Sequence, residues 1–219
     1  RATANQLASY LEGSLLRKVV RTRDEPAFAA NRIGFYLLNA AALLAEEMAE
    51  EGGISFVDAA LGGFTGRVMS PMRTIDLVGL DTHKAIVDNV CQSSHEPGFR
   101  LPQFVARLVS LGLLGDKTGG GLYRDVTLAN AVRQRQVFDI ASEAYRPAPR
   151  IEMPFVTEAN ALIAMARYSD AARVIKQSSS KGARCCRDLV AKYISYALSI
   201  APAVLECPGD LERIMGFGF

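Results

Sequence analysis

The pattern of apolar and polar positions predicts a chain made mostly of helices. The longest regular stretch begins at Asp24-Glu25-Pro26, a typical first helical turn, and runs to about Glu50. Its apolar residues fall on two stripes, which predicts a central helix with neighbours on two faces. One stripe contains Ile33, Tyr36, Leu37, Ala40, Ala41, Leu44, Ala45 and Met48, and the other contains Phe28, Asn31, Phe35, Leu38 and Ala42.

Shorter periodic stretches predict further helices and little strand. Helices are expected over residues 3–16, 54–61, 70–90 with a kink at Gly79, 101–111, 128–144, 155–176, 183–200 and 210–215. One short strand is expected at residues 18–22 and a glycine-rich hairpin at residues 113–123. The predicted class is therefore all-α with one short strand and a small hairpin. A lone strand needs a partner sheet, which suggests that another domain belongs to this protein.

Two parts of the chain resemble each other, which predicts an internal repeat. Residues 32–38 align with residues 192–198, and residues 57–62 align with residues 211–216. Two generic helix pairs are the alternative explanation. A proline-rich linker over residues 147–153 separates a first helical domain, residues 24–146, from a second and shorter copy, residues 154–219. Ala191 stands where the first copy has Asn31, so a polar role of Asn31 would belong to the first copy alone.

Composition narrows the functional classes. The 219 residues are 49% hydrophobic and 22% charged, which is typical of a globular protein. A net charge of +2 without a dense basic block argues against a nucleic-acid partner. The longest apolar runs are interrupted by polar residues and predict core helices rather than membrane spans, which need about 20 apolar residues. Four cysteines and two histidines show no zinc spacing, and reduced cysteines indicate a cytoplasmic location.

Three motifs in the first half carry a family resemblance. They are Glu25-Pro26-Ala27-Phe28-Ala29-Ala30-Asn31-Arg32-Ile33, then Ser70-Pro71-Met72 with Asp76-Leu77-Val78-Gly79-Leu80-Asp81, then Gly115-Asp116-Lys117-Thr118-Gly119-Gly120-Gly121-Leu122-Tyr123. In this order they resemble the C-terminal domain of the 3-hydroxyacyl-CoA dehydrogenase family over about residues 14–124. Ala27 replaces a glycine of the family pattern, and Ser70 and Met72 also depart from it. The tail from Pro208 resembles a degenerate second copy found in multifunctional fatty-acid oxidation proteins.

The resemblance implies two related helical domains of the 6-phosphogluconate-dehydrogenase C-terminal type. It implies NAD-dependent oxidation of L-3-hydroxyacyl-CoA in fatty-acid β-oxidation by the parent protein. In the family, NAD and the catalytic histidine belong to a preceding Rossmann domain, and residues 1–23 are expected to be the tail end of that domain. The chain is thus expected to be a fragment that is inactive on its own and has no catalytic residue. Its expected partners are acyl-CoA and its own Rossmann domain; a fused enoyl-CoA hydratase is left open.

Asn31 is the candidate substrate-binding residue. The resemblance implies that this side chain contacts acyl-CoA close to the reacting carbon, and an amide in an early helical turn can hydrogen-bond a substrate oxygen. The alternative is an asparagine that bonds the neighbouring chain and holds a domain junction. Neither His83 nor His95 lies in the family's catalytic context, and Lys117 lacks the spacing of a phosphate-binding loop.

Two other functions stay open at this point. One is the helical domain of a related NAD-dependent dehydrogenase that acts on another 3-hydroxy acid. The other is a structural or dimerisation module, in which Asn31 would affect stability alone.

Overall fold

A computed structural model describes residues 2–66, 68–94, 96–128 and 131–218. These residues form ten α-helices and a three-stranded antiparallel sheet, which confirms the mostly helical class. The helices are α1 (Ala2–Gly13), α2 (Ala30–Glu47), α3 (Gly53–Ala60), α4 (Pro71–Val78), α5 (Leu80–Ser94), α6 (Gln103–Ser110), α7 (Pro154–Ala164), α8 (Tyr168–Gln177), α9 (Lys181–Val204) and α10 (Leu211–Gly218). The strands are β1 (Tyr123–Thr127), β2 (Arg133–Asp139) and β3 (Ala144–Pro147).

Helix α2 is the central helix that its two apolar stripes predict. It packs against α3, α4 and α5 and also against α9. Ile33 of one stripe and Leu38 of the other are both fully buried. The helix begins at Ala30 rather than near residue 25, because Ala27 and Phe28 adopt left-handed backbone angles, with φ of 62° and 53°.

Backbone breaks divide two of the predicted helices. The expected kink at Gly79 is a full break between α4 and α5, since this residue has φ 102° and ψ 134°, outside the helical region. The single helix predicted over residues 155–176 is wrong. It is divided into α7 and α8 at residues 165–167, where Ala166 has a φ of 57°.

The helix predicted over residues 128–144 is also wrong. Strand β2 occupies the middle of this segment and pairs with β1 on one side and β3 on the other. Val137 and Phe138 of β2 are buried, and the residues before them are exposed or half-buried. Tertiary pairing therefore overrides the helical propensity of the alanine, glutamine and arginine residues in the segment.

The strand predicted at residues 18–22 is reduced to one isolated bridge, between Thr22 and Leu205. The glycine-rich segment at residues 113–123 does form a tight turn. Gly115 and Gly120 pair across it, and a single 3₁₀ turn, Asp116–Thr118, lies between them.

The two predicted halves share one hydrophobic core. Phe155 and Leu189 from the second half lie in the same buried cluster as Phe35 and Val57 from the first. Helix α3 packs against α9, and α10 packs against α2. The predicted linker over residues 147–153 begins at the last residue of β3 and ends just before α7. Within the described ranges, no helix has the length and apolar character that crossing a bilayer requires.

Candidate functional site

Asn31 lies in the first turn of α2 with an exposed side chain. Within the described part of the chain, its side chain forms no hydrogen bond. The Phe28 side chain, at the end of the segment that leads into α2, is 55% exposed. An unpaired amide and an exposed aromatic ring therefore stand close together in sequence at one end of the central helix.

The backbone before Asn31 is strained. Left-handed angles cost a residue with a Cβ atom about 1–2 kcal/mol, and two such residues, Ala27 and Phe28, follow each other here. The Phe28 amide donates to the Glu25 carbonyl oxygen at 2.8 Å, which closes the turn. Ala27 stands where the pattern that the first motif resembles has glycine, the residue that accepts such angles without this cost.

A polar network that the sequence did not reveal surrounds Arg32, the next residue of α2. The Arg32 guanidinium donates to Glu96 Oε1 at 2.5 Å, to Ser94 Oγ at 2.8 Å and to the Tyr196 hydroxyl at 3.2 Å. The Tyr196 hydroxyl in turn donates to Glu96 Oε2 at 2.8 Å. The Arg32 side chain is only 4% exposed. In the sequence, the only signal for Arg32 was its place beside Asn31 in the first motif. The partners of Arg32 could not be predicted, because they are distant along the chain.

His83 is fully buried in α5, beside the Phe35 ring. Its Nε2 lies 3.3 Å from Asn39 Oδ1, and the Asn39 amide donates to the carbonyl oxygens of Gly98 and Arg100, both at 2.9 Å. Burial lowers the pKa of His83 to about 4. This histidine ties α2 to α5 and has no access to a substrate. His95 lies outside the described residues.

The lowered pKa of His83 predicts acid sensitivity. Below pH 6.5, the ordinary pKa of histidine, His83 binds a proton in the unfolded chain but stays neutral in the folded chain. The free energy of unfolding therefore falls as the pH decreases from about 6.5 towards about 4. Between about pH 7 and pH 5 its contribution to the free energy of unfolding should fall by about 2 kcal/mol. Urea denaturation of the wild type and His83→Gln at both pH values would measure the difference; equal acid losses in both proteins would contradict the prediction.

The second and third motifs meet at two carboxylates, Asp76, which is buried, and Asp58, which is half-buried. Asp76 accepts hydrogen bonds from the backbone amides of Leu122 at 2.7 Å and Tyr123 at 2.8 Å. Asp58 accepts from the Tyr123 hydroxyl at 2.7 Å and from the Met72 amide at 2.9 Å. Burial raises the pKa of Asp58, and it raises the pKa of Asp76 to about 6. These carboxylates bind the chain's own backbone, so they hold the glycine-rich turn in place.

Other polar candidates have structural partners. Lys117 in the glycine-rich turn forms an ion pair with Asp81, which is consistent with a structural role for this lysine. Cys186 is buried in α9, and burial raises the pKa of its thiol to about 11. This cysteine therefore contributes to helix packing rather than to chemical reactivity. Glu46, in the last turn of α2, accepts a hydrogen bond from the Gln103 amide at the start of α6.

A family model matches the region that contains Asn31. Residues 28–125 match the family model described as 3-hydroxyacyl-CoA dehydrogenase, C-terminal domain. The match contains Asn31, Arg32 and Glu96 and the two carboxylates, Asp58 and Asp76. The segment from residue 126 onwards, which includes Tyr196, lies outside it.

Similar proteins match different shares of the chain. A 3-hydroxybutyryl-CoA dehydrogenase of Mycobacterium tuberculosis is 34% identical over 123 residues, which are 56% of this chain and 42% of that protein. A Rickettsia prowazekii protein named "Putative fatty acid oxidation complex trifunctional enzyme" is 20% identical over 98% of this chain and 28% of its own length. The crystal structure of M. tuberculosis FadB2 has 35% identity and a TM-score of 0.48, and covers 55% of this chain and 42% of that one. The chain thus spans less than half the length of these relatives.

Proposed function

We propose that this chain is the substrate-side part of an NAD-dependent L-3-hydroxyacyl-CoA dehydrogenase of fatty-acid β-oxidation, because residues 28–125 match the family model described as 3-hydroxyacyl-CoA dehydrogenase, C-terminal domain. The observation that carries this proposal is the position of Asn31. It is exposed and unpaired in the described structure, in the first turn of the central helix of the matched domain.

We assign Asn31 the role of a substrate-binding residue. A side-chain amide can donate to one substrate oxygen and accept from another, which suits the carbonyl and hydroxyl groups of a 3-hydroxyacyl thioester. The alternative role, a bond to the neighbouring chain, has no support within the described residues, where its amide has no such partner. The residues on either side of Asn31 in the start of α2, Ala29 and Arg32, are buried in the protein, so the amide can be held in a fixed place before substrate binds.

The described residues do not fit NAD. A dinucleotide site requires a parallel strand that leads through a glycine-rich turn into a helix, and the sheet described here is small and antiparallel. The glycine-rich turn at residues 115–121 leads into strand β1 instead. In this proposal NAD and the catalytic histidine belong to a preceding Rossmann domain, and residues 1–219 alone turn nothing over.

We also propose that the second half is a shortened copy of the first and packs on it as a partner subunit would. A two-fold interface has reciprocal contacts. Helix α9 is the predicted counterpart of α2, and α10 is that of α3; α3 packs against α9, while α10 packs against α2. Tyr36 and Tyr196, which align in the repeat, stack on each other with ring centres 3.9 Å apart and planes 8° apart. Such contact between equivalent residues is expected close to a two-fold axis.

The test of this function is the Asn31→Ala variant in the protein that includes the NAD-binding domain. NADH oxidation with acetoacetyl-CoA should fall by about a hundredfold, the effect of losing one well-placed hydrogen-bond donor to a reacting oxygen. The melting temperature should stay unchanged, because the amide has no partner to lose within the described structure. Asn89→Ala, which removes another exposed asparagine from helix α5, is the matched control and should keep full activity.

Other results of this test would favour one of the two alternative functions. A well-folded wild type without turnover of acetoacetyl-CoA would contradict the acyl-CoA assignment and favour a dehydrogenase of another 3-hydroxy acid. An Asn31→Ala variant with a lower melting point and an unchanged rate would favour a structural or dimerisation module.

A further inference from the structure

The first turn of α2 lacks the local support that a helix start normally has. Ala29, at the N-cap position, offers no side chain to the free amides of this turn, and the two residues before it have left-handed angles. A Ser, Thr, Asp or Asn cap typically stabilises such a helix start by about 1 kcal/mol. The orientation of Asn31 therefore depends on contacts made by distant parts of the chain.

Those contacts come from helix α9 of the second half. Tyr196 hydrogen-bonds both members of the Arg32–Glu96 ion pair, and Arg32 follows Asn31 directly along α2. The far end of α9 holds the residues that lead into α2. Ala29 is fully buried in a small cluster with Ala201 and Leu205, and the Arg23 amide donates to the Val204 carbonyl oxygen at 2.8 Å.

Among the residues that the structure describes, the Tyr196 hydroxyl is the single group through which α9 hydrogen-bonds the Arg32–Glu96 ion pair. It accepts a hydrogen bond from Arg32 and donates one to Glu96, so it completes a closed triangle of three side chains. The ring below it is held separately by its stack on Tyr36. Removal of the hydroxyl alone would therefore loosen the side chain beside Asn31 and leave the packing of α9 on α2 in place.

We propose that Tyr196 is a positioning residue, which acts through Glu96 and Arg32 to fix the orientation of Asn31 towards the substrate. This inference rests on the proposed function. It gives the second half of the chain, which lies outside the matched family domain, a part in the site of the first half. A displacement of about 1 Å in a positioned group can cost up to a hundredfold in rate, so a loosened helix start has a measurable effect.

The test is a double-mutant cycle in the protein that includes the NAD-binding domain. Tyr196→Phe should lower kcat with acetoacetyl-CoA and NADH by about tenfold, at an almost unchanged melting temperature. In the Asn31→Ala background the same substitution should have less than about a twofold effect, because the group that Tyr196 positions is already gone. Tyr145→Phe is the matched control: it removes another half-buried hydroxyl, which donates to the Gly121 carbonyl oxygen at 2.6 Å, and should leave kcat unchanged in both backgrounds.

The outcomes separate this inference from the function on which it rests. An Asn31→Ala variant of normal activity would overturn both. A strong Asn31 effect, combined with a Tyr196→Phe variant that is fully active or loses the same factor in both backgrounds, would overturn the positioning role alone. A large effect of Tyr196→Phe that appears only when Asn31 is present would support it, since general loosening of the fold does not depend on one exposed amide.

Discussion

Gly115→Ala should lose more than about 4 kcal/mol of unfolding free energy. A Cβ atom at this position would lie 2.2 Å from the carbonyl oxygen of Asp76 and 3.0 Å from its carbonyl carbon. Backbone atoms at the end of α4 cannot move aside as a side chain can. Gly115 also has a φ of 100°, an angle that residues with a Cβ atom rarely adopt. Chemical denaturation of wild type and variant measures the loss.

Gly119→Ala is the matched control, because it alters the same turn without the clash. Gly119 has a φ of 74°, and no atom lies within 4 Å of the place that its Cβ atom would take. The left-handed angle alone should cost about 1 kcal/mol. Similar losses at both positions would show that strained backbone angles, rather than close approach to Asp76, explain the glycines of the third motif.

The contact between Gly115 and Asp76 shows what the sequence can and cannot reveal. The local features were readable: the central position of α2 follows from its two apolar stripes, and Gly79 marks the break between α4 and α5. The contact between the second and third motifs could not be read from the sequence. Their residues are about 40 apart along the chain, and no local pattern encodes that contact. The motifs are one structural unit, in which Asp76 holds the backbone of Leu122 and Tyr123.

The sheet and the polar network were missed for a related reason. Residues 133–139 contain good helix formers, and only pairing with β1 and β3 makes them a strand. Asn31 could be selected from the family motif, but its exposure and its neighbours depend on tertiary packing. Arg32 reaches Glu96 on the loop after α5 and Tyr196 on α9, and a buried arginine can be recognised only once those partners are known.

Glu96→Ala should lose about 3 kcal/mol of unfolding free energy, because it leaves a buried arginine without its counter-ion. The Arg32 side chain is 4% exposed and that of Glu96 is 23% exposed, so water can replace the lost carboxylate only in part. The Ser94 and Tyr196 hydroxyls would remain as neutral partners of the guanidinium. Urea denaturation measures the loss, and Asp88→Ala is the control. That substitution breaks the half-exposed pair Lys84–Asp88 within α5 and should cost less than about 1 kcal/mol.

A second variant identifies the cause of that loss. In Arg32→Met with Glu96→Ala the buried charge is gone, and the methionine side chain fills most of the space of the arginine stem. If the cost of the single variant comes from an unpaired buried charge, the double variant should be more stable than Glu96→Ala alone, although it lacks two polar groups instead of one. If it is less stable, the network contributes through its hydrogen bonds to Ser94 and Tyr196, and the helix start that carries Asn31 is then held mainly by neutral contacts.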